Sequence, residues 1–212
     1  DATRGIFNHG GALEYFIENI WVNGSSAFSL NAMCRGFVKN VWGRVSKKVL
    51  DAGYYSGFVD FENVHVGQGS TPTDVQAKIN LGDMCHDIHL RRCSINGGTM
   101  DFTVLAIQRA VRCIIDDCDI TGRGTARAVN FYDSGASGYG PDGCQLLNSR
   151  IRVAGPTTAI EYNNAAGVVP VARNIIKNVT IYGTPTDAIN IAASSKSLIV
   201  DGIVSPANKI TN

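Results

Sequence analysis

Leu90-Arg-Arg-Cys-Ser-Ile95 and, 25 residues further on, Ile115-Asp-Asp-Cys-Asp-Ile120 decide the fold. Each reads apolar, any residue, a residue of Asn type, apolar or small, any residue, apolar or small. Working outward, the same signature recurs as Ile17-Glu-Asn-Ile-Trp-Val22, Val38-Lys-Asn-Val-Trp-Gly43, Phe61-Glu-Asn-Val-His-Val66, Leu146-Leu-Asn-Ser-Arg-Ile151, Ile176-Lys-Asn-Val-Thr-Ile181 and Val200-Asp-Gly-Ile-Val-Ser205. Successive first positions differ by 21, 23, 29, 25, 31, 30 and 24 residues. Steps of that size are single coils of a solenoid, in which each repeat buries its apolar face on the next.

A second short strand precedes most signatures: Ile79-Asn-Leu81, Val104-Leu-Ala106, Val129-Asn-Phe131, Ile160-Glu-Tyr162 and Ile189-Asn-Ile191. Side chains of a strand switch faces at every step, so the outer residues of each triplet point inward and the middle one outward. From triplet to signature the distance is 11 residues in three coils but 17 after Val129 and 16 after Ile160, which places two inserted loops on the same edge of neighbouring coils. The third signature position holds Asn19, Asn40, Asn63, Arg92, Asp117, Asn148, Asn178 and Gly202. Asn and Gly accept left-handed backbone and stacked amides bond one another, so this column predicts a recurrent bend with an amide ladder. The Gly and Asn punctuation interrupts every helical period. The expected fold is all-β, a right-handed parallel β-helix of about eight coils, with the hand taken from the usual crossover between parallel strands.

Composition agrees. Gly contributes 23 residues and the charged fraction is 17%, below the roughly 25% of an ordinary soluble domain, which suits short strands and turns. With 19 Lys and Arg against 18 Asp and Glu, no stretch concentrates one sign, and nucleic acid is not indicated as a partner. No apolar run approaches the roughly 18 residues of a membrane span, and no signal segment opens the chain. The six cysteines follow the repeat rather than a disulfide framework and are expected as reduced core residues; their spacing suits no zinc site, and neither a metal nor a cofactor is implied.

In these residues, from Ile17 through Ser205, the chain resembles the pectate-lyase-type β-helix superfamily and, within it, the tailspike proteins of bacteriophages. The motif sets of two enzymatic branches are missing: Asp116-Asp117 is a DD pair without a GHG, and neither Arg-x-Pro-x-x-Arg nor an acidic calcium cluster occurs. The tailspike resemblance implies a homotrimer on the virion, beside other tail proteins. It would be synthesised in the bacterial cytoplasm, act outside the host cell, and bind and hydrolyse capsular or lipopolysaccharide O-antigen glycan. It also implies that residues 1–212 are one β-helix domain, the central part of a longer protein. Two rivals stand beside it: a non-catalytic structural or adhesive β-helix, and a bacterial polysaccharide lyase.

The candidate site follows from the outward positions of the second strand. One row reads Asn80, Leu105, Asn130, Glu161, Asn190; the next reads Gly82, Ile107, Tyr132, Asn163, Ala192; a third reads Asp83, Gln108, Asp133, Asn164, Ala193. Amides and carboxylates bond sugar hydroxyls, and aromatic faces cover the apolar side of the ring. Glycoside hydrolysis generally needs two carboxyl groups, about 6.5–9.5 Å apart for inversion. Glu161, mid-strand, is the expected acid and Asp133, opening a Gly-rich loop, the expected base. Asn130, Tyr132, Asn163, Asn190 and Asn80 are the expected substrate-binding residues, and the loops 133–143 and 163–172 the walls. For a lyase, Tyr132 with Arg109 or Arg127 would serve. Asp83, His86, Asp87 and His89 cluster near one bend, where His86 could serve as a base, but a lone His beside a Cys column is read first as a packing or turn residue. Trp21 and Trp42 point outward in consecutive coils, as a sugar platform or a subunit contact.

Overall fold

The computed structural model describes residues 6–9, 13–31, 34–53, 55–69, 77–82, 84–98, 103–122, 127–132, 140–155, 157–163, 173–192, 198–206 and 210–211; the side chains of 6–9, 13, 15, 31 and 34 are outside this description. The strands are β1 (Ile6–His9), β2 (Leu13–Gly24), β3 (Phe28–Asn31), β4 (Cys34–Val45), β5 (Leu50–Gly53), β6 (Gly57–Gln68) and β7 (Ile79–Leu81). They continue as β8 (His86–Arg91), β9 (Ser94–Asn96), β10 (Leu105–Gln108), β11 (Ile114–Asp116), β12 (Asp119–Gly122), β13 (Val129–Tyr132) and β14 (Gln145–Leu147). The last are β15 (Arg150–Val153), β16 (Thr158–Asn163), β17 (Asn174–Lys177), β18 (Thr180–Gly183), β19 (Asp187–Ile191), β20 (Leu198–Asp201) and β21 (Ile210–Thr211). No helix among the described residues is long and apolar enough to cross a membrane.

Every strand pairing is parallel, and the chain is a β-solenoid. One sheet stacks β1, β3, β5, β7, β10, β13, β16, β19 and β21. The signature strands build the other, which divides at the bend into a column through β8, β11, β14, β17 and β20 and a column through β9, β12, β15 and β18. The long strands β2, β4 and β6 run through both columns. About six turns, those of β4, β6, β8–β9, β11–β12, β14–β15 and β17–β18, bury their signature residues fully. In the flanking turns of β2 and β20, Ile17, Ile20, Val22, Val200 and Ile203 are only partly covered, because a solenoid turn needs a neighbour on each side to be sealed.

The predicted stacking holds in detail. Ile115 pairs with Leu90 and Ile120 with Ile95, and with Cys93 and Cys118 these residues are buried in one continuous core. Cys85, Cys93, Cys113, Cys118 and Cys144 are buried free thiols; the side chain of Cys34 lies outside the described residues. The Cys144 thiol, 3.2 Å from the Ala110 carbonyl it donates to, is pushed well above the ordinary thiol range by burial and by its bond with Cys113. Core thiols thus behave here as small apolar residues with a weak donor.

The bend is left-handed at every rung, with φ between 47° and 63° at Asn19, Asn40, Asn63, Arg92, Asp117, Asn148, Asn178 and Gly202. Asn40 Nδ2 donates to Asn19 Oδ1 (3.0 Å), Asn63 Nδ2 to Asn40 Oδ1 (3.1 Å) and Asn178 Nδ2 to Asn148 Oδ1 (3.1 Å). Where Arg92 and Asp117 interrupt the amides, Arg92 Nε donates to Asn63 Oδ1 (3.3 Å) and Asn148 Nδ2 to Asp116 Oδ1 (2.8 Å). Two further left-handed corners, Tyr55–Met84–Arg109 and Phe58–Asp87–Arg112–Gly143, have no common residue type and were not legible in the sequence.

Beside the bend runs one column whose members are register partners from rung to rung: Glu18, Lys39, Glu62, Arg91, Asp116, Leu147, Lys177 and Asp201. Its sign alternates at every charged step. Lys39 lies 3.5 Å from Glu62 and Lys177 lies 3.4 Å from Asp201, so like charges are never neighbours.

One triplet is corrected. Leu105, not Val104, pairs with Ile79 and Val129, so the strand reads Leu105-Ala106-Ile107, with Ala106 in the outward row and Leu105 inside. Three consecutive apolar residues gave the alternation no handle, and a one-residue slip exchanges the faces.

Candidate functional site

The outward row of the first sheet, in register, is Ser29, Asp51, Asn80, Ala106, Asn130, Glu161, Asn190 and Thr211. Asn130, Glu161 and Asn190 are thus direct neighbours on three rungs, about 4.8 Å apart. Asn80 is separated from them by Ala106. It is already engaged, donating from Nδ2 to Asp51 Oδ1 (3.0 Å), while Lys48 Nζ lies 2.7 Å from Asp51 Oδ2. The neighbouring row brings Tyr132 beside Asn163, and Gln108 takes the place expected for Ile107. The Tyr132 hydroxyl donates to Gln108 Oε1 at 3.0 Å.

Glu161 sits mid-strand in β16 between two buried core residues, Ile160 and Tyr162, so its backbone is fixed and its side chain is only 15% exposed. Its carboxylate forms an ion pair with Arg127, which enters from the residues just before β13. Asn130 supplies the unsatisfied group: its Oδ1 is buried and, among the described residues, accepts no hydrogen bond. A buried acceptor without a donor costs about 1–3 kcal/mol, and a ligand hydroxyl at that point would supply the donor. Asp133, the second carboxyl of the expected pair, lies outside the described residues, as do 133–139 and 164–172 of the expected loop walls.

Compared with known proteins, the chain matches no family model, no curated protein and no solved structure. What the site can do therefore rests on its own chemistry. The β-solenoid fold is compatible with polysaccharide-binding proteins, and a row of amides and a carboxylate at rung spacing can hold successive hydroxyls of an extended chain.

The rival clusters resolve into structural pairs. His86 Nδ1 lies 2.9 Å from Asp87 Oδ2, and Asp87 accepts two bonds from Arg112, Nε to Oδ1 (2.9 Å) and Nη2 to Oδ2 (2.6 Å). The Arg112 guanidinium holds the Asp87 carboxyl below its ordinary 3.8. His89 Nδ1 is 3.0 Å from Asp60 Oδ1 on the next rung. These groups brace the corner Phe58–Asp87–Arg112, and Asp83 lies outside the described residues. No group of three or more metal-ligating residues occurs among the described residues. Arg127, the ion-pair partner of Glu161, enters the sequence reading only as a lyase candidate beside Tyr132; it lies three residues before Asn130, ahead of the strand that puts Asn130 beside Glu161.

Proposed function

We propose that this solenoid binds and hydrolyses a host surface polysaccharide in the manner of phage tailspikes, with Glu161 as the acid, Asp133 as the base and Asn130, Tyr132, Asn163 and Asn190 holding the chain. The observation carrying this reading is the half-buried Glu161 flanked in register by Asn130 and Asn190, with the Asn130 acceptor left open. Asn80 belongs to the same row, two rungs from Asn130 and three from Glu161, and would contact a longer oligosaccharide. Trimer formation and a virion location belong to the same proposal, and follow from the tailspike resemblance alone. One observation favours the purely adhesive form: the Glu161 carboxylate is bonded to Arg127, which must be displaced before Glu161 can donate a proton.

Reducing-end release from a panel of capsular and O-antigen polysaccharides separates the forms. Cleavage by the wild type, lost by several orders of magnitude in Glu161→Gln with binding retained, is the expected result. Cleavage retained by that variant removes Glu161 from the mechanism, and binding without cleavage by the wild type establishes the adhesive form.

A further inference from the structure

The signature strands beyond the bend carry a second outward surface, on a different sheet from Glu161. Its two columns are set by register. One runs Trp21, Trp42, His65, Ser94, Asp119, Arg150, Thr180; the other runs Asn23, Arg44, Gly67 and then Asn96, Thr121, Arg152, Tyr182, with Gly67 and Asn96 each following the last paired residues Val66 and Ile95. On a single strand, residues two apart share a face, so Trp42 stands beside Arg44, and register places Arg152 beside Tyr182. The aromatics are open to solvent, Trp21 at 72%, Trp42 at 41% and Tyr182 at 44%.

The charges on this strip are unequal in their engagement. Asp119 is neutralised by Arg150 across the rung, Nε to Oδ1 at 2.7 Å. Arg44 and Arg152 are exposed, and among the described residues neither has a carboxylate within ion-pair range. Four rung steps separate them, about 19 Å along the axis at 4.8 Å per rung. Between them lie small or neutral groups. At Gly67 an added Cβ would meet only the Gly43 carbonyl at 3.9 Å, which leaves the floor open beside Arg44.

Two guanidiniums without an ion-pair partner among the described residues, each with an exposed aromatic ring at its side, at the two ends of a polar track, make a charge pattern complementary to a carboxylate-bearing chain. The guanidinium fork takes a carboxylate, and the ring covers the apolar face of a sugar. We propose that this strip is a binding track for an acidic polysaccharide running parallel to the solenoid axis, with Trp42–Arg44 and Arg152–Tyr182 as its two anchor points. The proposal rests on the glycan reading in its choice of ligand, but its residues lie on another sheet, so the two fail separately.

The test uses the full chain on an array of acidic, uronate-bearing bacterial polysaccharides, each with its carboxyl-reduced neutral counterpart. The wild type is expected to retain an acidic polymer, and to lose tenfold or more in affinity for its reduced form. Trp42→Ala with Arg44→Gln, and Arg152→Gln with Tyr182→Ala, should each lose tenfold or more on the acidic polymer, while Lys177→Gln, an exposed cation on the other side of the bend, still binds it. Raised salt should weaken the wild type more than either double variant. Circular dichroism checks the fold, and Arg44→Gln and Arg152→Gln alone carry the readout should an aromatic substitution disturb it. Equal binding of acidic and reduced forms, binding of neutral polymers only, binding of none, or strip variants that bind like the wild type overturn the proposal. A change confined to the sedimentation of the strip variants overturns it in favour of a contact between copies of the chain.

Discussion

Asn40 makes two ladder bonds and holds a left-handed backbone at φ 52°, so it is doing two separable things at one bend. An alanine there forfeits both, at about 1–2 kcal/mol for the conformation and about 1 kcal/mol for each bond; a glycine keeps the conformation. Asn40→Ala should therefore unfold at lower urea than Asn40→Gly, by about 1 kcal/mol, and equal midpoints would show that the backbone carries no strain there. The bend was legible in the sequence because Asn is both left-handed-tolerant and self-complementary. The corner at Phe58, Asp87 and Arg112 was not, since its conformation is imposed by the coil path on residues with no such preference. At that corner Asp87 sets a pH dependence. Its folded-state value is depressed by Arg112, so its contribution to stability is complete above the ordinary 3.8 and disappears as pH falls through the lower folded value. The difference in melting temperature between wild type and Asp87→Asn should accordingly be largest near neutrality and shrink towards zero on acidification below 3.8. A difference that grows with acid would contradict the pairing.

At the scale of the strand, the informative case is β10. Leu105, Ala106 and Ile107 are all apolar and all buried, so period-two reading had no contrast to use, and only the pairing with β7 and β13 decides which residue faces the core. The two substitutions Leu105→Ser and Ala106→Ser test that register directly. Both place a hydroxyl at a buried position, but the first also deletes a large core side chain, at about 3 kcal/mol or more, whereas the second deletes nothing, sits in the outward row between Asn80 and Asn130, and costs less by about 2 kcal/mol or more. A larger cost for Ala106→Ser than for Leu105→Ser in chemical denaturation would return the strand to the register the sequence proposed. The same contrast explains what was legible at the site: β13 and β16 alternate cleanly, so Asn130, Tyr132, Glu161 and Asn163 were placed on the outward face from sequence alone. The Arg127–Glu161 pair was hidden, because it joins residues 34 apart in the chain, on neighbouring rungs.

For the whole molecule, the core is one continuous cluster from Ala27 to Ile189, yet every strand pairing among the described residues joins one rung to the next. Stability in such a stack is close to a sum of rung and interface contributions. The column Glu18, Lys39, Glu62, Arg91, Asp116 adds a parity to that sum. Excising one rung from this stretch, for instance the turn of β5 and β6 that carries Glu62, sets Lys39 against Arg91; excising two in succession, those of Glu62 and Arg91, sets Lys39 against Asp116. Shortened by two turns, the protein should keep a higher melting temperature per remaining turn than when shortened by one, and the reverse order would show that the charge column is incidental. From Glu18 to Asp116 the stack therefore has a grain: turns are expected to be lost or gained there more readily in twos than singly, whereas the neutral turn of Leu147 can leave alone, since its loss sets Asp116 beside Lys177.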